Sequence, residues 1–89
     1  MKHLSKHIIV GVHITDRVEH VSKVQHLFTE YGCWIRTRLG LHESNAEYCS
    51  PNGMILLEMI DNDAKCDQLS AALNAIEGVE AKTMVFDHP

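Results

Sequence analysis

Aromatic residues are scarce in this chain: one Trp, two Tyr and two Phe make up 6% of it, so its core must be built from Ile, Leu, Val and Met. Positive charge is scarce as well. Eight Lys and Arg stand against twelve Asp and Glu, for a formal charge of −4. Spread along the chain, they do not supply the clustered basic footprint of a nucleic-acid-binding surface. No long apolar run exists either. The start, Met1 to His7, is basic, but the apolar stretch behind it contains Gly11 and His13 and is far too short for a bilayer or a signal peptide. A cytoplasmic location with no membrane partner is the expectation. The three cysteines, Cys33, Cys49 and Cys66, are widely spaced and contain no CxxC. That excludes a disulfide framework or a zinc knuckle and points to reduced thiols.

What remains is ordinary globular material, 45% hydrophobic and 22% charged. A length of 89 residues predicts a single domain, 1–89, with a core over about 7–87. A chain of this size buries only about 60–65% of its unfolded surface, and oligomerisation is a common way to bury more.

Periodicity divides the chain into six elements. Ile8, Val10, Val12 and Ile14 alternate with Ile9, Gly11 and His13, which predicts a first strand over His7 to Thr15 with two largely apolar faces. Asp16 and Glu19 form a capping-box-like start for a helix. Its buried stripe is Val18, Val21, Val24, Leu27, Phe28 and Tyr31, and Gly32 is the expected stop. Trp34 to Leu41 reads as a second strand, with Trp34, Arg36 and Arg38 on one side. A polar connection of about a dozen residues follows, from His42 to Gly53, long enough to suggest a functional loop. Met54 to Ile60 is nearly all apolar, as a central strand would be. Asp61-Asn62-Asp63 caps a second helix with a stripe of Leu69, Ala72, Leu73 and Ile76, ended by Gly78. Val79 to Phe86 closes the pattern as a fourth strand.

The order strand–helix–strand–strand–helix–strand predicts an α+β, ferredoxin-like βαββαβ fold: a four-stranded antiparallel sheet with two helices on one face. The opposite face, holding Ile9, Gly11, His13 and part of the third strand, would be a large open apolar surface, which usually marks an interface. A homodimer, or a tetramer built from dimers, joined through the sheet face or sheet edges is therefore expected.

The segments Ile-Ile-Val-Gly-Val-His-Ile-Thr-Asp-Arg (8–17), Leu-Phe-Thr-Glu-Tyr-Gly (27–32), Ile-Arg-Thr-Arg-Leu-Gly (35–40) and Ile-Glu-Gly-Val-Glu-Ala-Lys-Thr-Met-Val (76–85) resemble the iron-only hydrogenase system regulator family. Those proteins are similar to ACT domains and to the effector domain of nickel-responsive repressors. The resemblance runs from His7 to Phe86. It implies a stand-alone ACT-like regulatory or ligand-sensing module, possessing no DNA-binding segment of its own.

Three site readings follow. Asp16 and Arg17 open the first helix, whose N-terminal amides favour anions, and Arg36 with Arg38 could clamp a carboxylate or phosphate there. A small carboxylated effector such as an amino acid, which the ACT resemblance also implies, would suit that set. Alternatively, His42 and Cys49, with His13 as a third ligand, would suit a divalent transition metal and make the chain a metal sensor or carrier. A small ferredoxin-like dimeric enzyme is the remaining reading, but no nucleophile–base pair, triad or phosphate-cradling glycine loop is present, so no catalytic residue is named.

Overall fold

The structure is a computed structural model that describes residues 6–15, 17–41 and 53–87, the side chains of 17–20 and 41 excepted. The elements run β1 (Lys6–Ile14), α1 (Arg17–Glu30), a short 3-10 turn (Gly32–Trp34), β2 (Ile35–Leu41), β3 (Gly53–Met59), α2 (Asp63–Asn74) and β4 (Val79–Asp87). The four strands form one antiparallel sheet in the order β2-β3-β1-β4, the expected ferredoxin-like α+β arrangement. Each β–α–β unit joins two strands across an intervening one, and crossovers of the same hand put both helices on the same face.

β-branched residues at alternate positions decide which face of β1 is buried. Ile8, Val10, Val12 and Ile14 are at most 1% exposed and pack with Leu57 and Met59 of β3 under the helices. Val24 and Phe28 of α1 and Cys66, Leu69 and Leu73 of α2 close that core from above. The connection into α2 is held by Asn62, whose Oδ1 accepts the Lys65 N–H at 3.1 Å. Lys6 ties the start of β1 to the same corner. Its N–H donates to Asp61 (3.1 Å) and its ammonium to Asp63 (2.9 Å), and the Asp63 carboxylate pushes the Lys6 pKa up. Gly78 is the left-handed residue (φ 84°) that turns the chain from α2 into β4.

Two boundaries differ from the sequence reading. α1 ends at Glu30, and Gly32 is not a left-handed stop; it opens the 3-10 turn, in which the Trp34 N–H bonds to Tyr31 O at 3.0 Å. Trp34 is thereby drawn out of the strand to lie tilted against Tyr31, with ring centroids 6.1 Å apart and ring planes at 56°. The expected capping role of Asp16 and the Pro51-Asn52 turn lie outside the described residues. Among the described residues, no helix is long and apolar enough to cross a membrane.

Candidate functional site: the helix-free sheet face

The side chains that point away from the helices form a face on which an apolar strip runs between two groups of polar residues. Pairing sets its rows: Thr37–Glu58–Ile9–Met84, then Leu39–Leu56–Gly11–Lys82, then Met54–His13–Glu80. Leu39, Met84 and Phe86 are each more than half exposed on this surface. A soluble chain rarely leaves such a patch uncovered.

In the middle row Gly11 has no side chain, and the sheet dips there. The depression, about 480 Å³, is lined by Gly11, His13, Met54, Leu56, Glu80 and Lys82. Its floor is Gly11 and Leu56. Its polar wall comes from His13 and from Glu80, which sits 3.8 Å from the Lys82 ammonium. A Cβ built on Gly11 would lie 3.8 Å from the Leu56 side chain and 3.9 Å from the Lys82 carbonyl, ordinary contacts. A single methyl at Gly11 would therefore meet no clash, so steric exclusion of a Cβ does not explain the glycine.

At the opposite end of the face, half-buried Glu58 gathers polar partners. Thr37 Oγ1 donates to it at 3.2 Å, His7 Nδ1 lies 3.7 Å away and the Arg36 guanidinium 4.0 Å. Arg36 reaches this side because a register irregularity between Ile35 and Thr37 inserts it as a bulge. Arg38, paired with Leu57, points to the helix side, where its guanidinium lies 5.4 Å from the Phe28 ring centroid and donates to Gln25 at 3.4 Å. The shared side expected of Arg36 and Arg38 is thus lost to one inserted residue.

Nor does the fold bring these arginines to the start of α1. β1 and β2 are both antiparallel to β3 and so run the same way. Arg36 and Arg38 therefore lie beside the first half of β1, whereas α1 begins beyond its end. At ~3.4 Å per residue the separation along the sheet is on the order of 17 Å. Arg36 and Arg38 thus lie away from the backbone at Arg17, where α1 begins. Asp16 is outside the described residues, and Arg17 is described in its backbone alone. Of the metal set, His42 and Cys49 also fall outside the described residues, while His13 stands on the wall of the dip. No cluster of metal-ligating side chains occurs among the described residues.

Glu80 and Lys82 escaped the sequence reading of this surface, because only the β1–β4 register reveals that they flank Gly11. Their alternation with Val79 and Ala81 was the available signal.

No protein-family model matches the chain, and no curated protein does. Solved structures do share its fold. An uncharacterised protein of Thermotoga maritima superposes with a TM-score of 0.76 at 23% identity, over 93% of this chain and 98% of that one. A protein of Thermus thermophilus assigned to PII-like signalling follows with 0.66 at 7% identity, over 98% and 93%. A nitrogen regulatory PII-like protein of Thiomonas intermedia, bound to ADP, AMP and bicarbonate, gives 0.58 at 12% identity, over 98% and 97%.

Proposed function

We propose that the chain is a regulatory module that works as an oligomer and senses a small molecule on the helix-free face of its sheet. The observation that carries this reading is the dip at Gly11, a concavity with an apolar floor and a charged wall in the middle of the helix-free face. A small ligand with an apolar body and one charged group matches that lining. A second copy laid over or beside the face would exclude water from the site.

A similar fold supports this reading: the nitrogen regulatory PII-like protein of Thiomonas intermedia holds ADP, AMP and bicarbonate. The narrower role, in the maturation or regulation of an iron-only hydrogenase, rests on the sequence resemblance of segments 8–17, 27–32, 35–40 and 76–85 alone.

Thermal-shift measurements on the wild type and on Gly11→Leu test the reading, with a panel of amino acids and adenine nucleotides as probes. A ligand at a hundred times its dissociation constant stabilises by about 2.7 kcal/mol, which in a domain this small raises the melting temperature by on the order of 10 °C. At least one probe should shift the wild type and leave Gly11→Leu unmoved, while the variant itself melts no lower. A panel that shifts neither protein, or both equally, contradicts the proposal.

A further inference from the structure

Among the described residues the sheet has two edge strands, β2 and β4, and they are unlike. At β2 the edge carries the Arg36 bulge and the exposed Arg38, features that blunt strand pairing. β4 is the other edge, and among the described residues no strand lies beyond it. Its backbone groups are not all free. The Asn74 amide meets both groups of Ala81, accepting the N–H at 2.8 Å and donating to the carbonyl at 3.1 Å.

That contact fixes the phase of the edge. In an antiparallel ladder a residue's N–H and C=O point to the same side and alternate from one residue to the next. With Ala81 pointing outward, Thr83, Val85 and Asp87 point outward too. Asn74 imitates a neighbouring strand at Ala81 and closes that position. The ladder beyond it is open, and there the chain exposes Met84 (55%), Val85 (51%) and Phe86 (53%).

We infer that the open half of β4 pairs with β4 of a second copy, antiparallel about a two-fold axis through Val85. This deepens the oligomeric reading above and rests on it. The register follows from the positions available. Centring on Val85 sets Thr83 against Asp87 of the other copy and Val85 against itself, so all three outward residues form bonded pairs. Centring on Met84 instead would set Asp87 against Ala81, which Asn74 already occupies.

Side chains agree with the Val85 register. Met84 faces Phe86 of the second copy on the helix-free side, a sulfur–aromatic pairing, and the Thr83 hydroxyl faces an Asp87 carboxylate on the other. Two four-stranded sheets become one continuous sheet. Because the contact is self-complementary it closes as a dimer and does not grow into a filament. Met84 and Phe86 from both copies extend the apolar surface along the seam between the two sheets.

Two variants test this in the full chain with Cys33 and Cys49 replaced by Ser. Directly opposed bonded residues hold their Cα atoms about 5.5 Å apart, a distance a disulfide spans. Val85→Cys should therefore convert almost wholly to a covalent dimer on mild oxidation, while Arg38→Cys on the β2 edge should not. Val85→Pro removes an outward N–H that bonds nothing within the chain, so its circular dichroism should stay native while its dimer dissociates at least tenfold more readily. A Val85→Cys chain that stays monomeric on oxidation, cross-linking through Arg38→Cys, or a folded Val85→Pro dimer of wild-type affinity would each overturn the inference. None of these outcomes touches the thermal-shift result at Gly11, so the edge can fail while the ligand site stands.

Discussion

Cys66 and Cys33 show how differently two thiols of one chain can be placed. Cys66 is buried against the core (3% exposed), its Sγ lies 3.8 Å from the Ile60 carbonyl, and burial pushes its pKa up. Cys33 is exposed on the 3-10 turn. Because the thiolate is the reactive form, iodoacetamide at mild alkaline pH should modify native Cys33 within minutes and Cys66 only after denaturation. Peptide mass mapping reads the difference, and rapid labelling of native Cys66 would contradict its placement. The same shift has a signed consequence. The raised folded pKa keeps the thiol protonated, so its contribution to stability is full below the unfolded thiol's range, near pH 8.5, and is lost as pH rises through the folded value. Burial of Cys66 was not read from the sequence, where it sits one turn before Leu69 among polar neighbours; a small apolar thiol is easily passed over beside Leu and Ile.

Strand β3 carries the clearest test at the level of an element, because adjacent residues serve opposite faces. Leu57 is fully buried under the helices, whereas Leu56 is on the floor of the Gly11 dip. Leu57→Asp puts an unpaired carboxylate into the core at a cost of several kcal/mol, a large part of the roughly 5–15 kcal/mol that holds a domain together, and should unfold the chain. Leu56→Asp should leave circular dichroism native and weaken any association that covers the face, as light scattering would show. A folded Leu57→Asp protein would mean the faces are assigned the wrong way round. Elements of this kind were legible beforehand, since strict alternation in β1 and the helical stripe of Leu69, Ala72, Leu73 and Ile76 match the βαββαβ order that the structure shows. The bulge at Arg36 was not. Ile-Arg-Thr-Arg-Leu reads as plain alternation, and an inserted residue becomes visible only through its partner strand. With it went the two-arginine clamp, while Gly11 and His13, whose side of β1 needs no partner to be known, were correctly placed on the open face.

For the molecule as a whole, the described residues leave one sheet face without helices and, beyond β4, an edge without a neighbouring strand, and the account holds that the face carries a ligand and that edge a second copy. Both claims meet in a single observation, the mass of the assembly recovered under gentle conditions. Native mass spectrometry of the wild-type protein, beside Gly11→Leu prepared identically and with the thermal-shift panel added, measures assembly and adduct together. The account predicts an even-numbered oligomer with one small organic adduct per chain in the wild type, and the same oligomer bare in Gly11→Leu. A bare monomer, or an adduct of metal mass that disappears only when His42 and Cys49 are replaced, would contradict it.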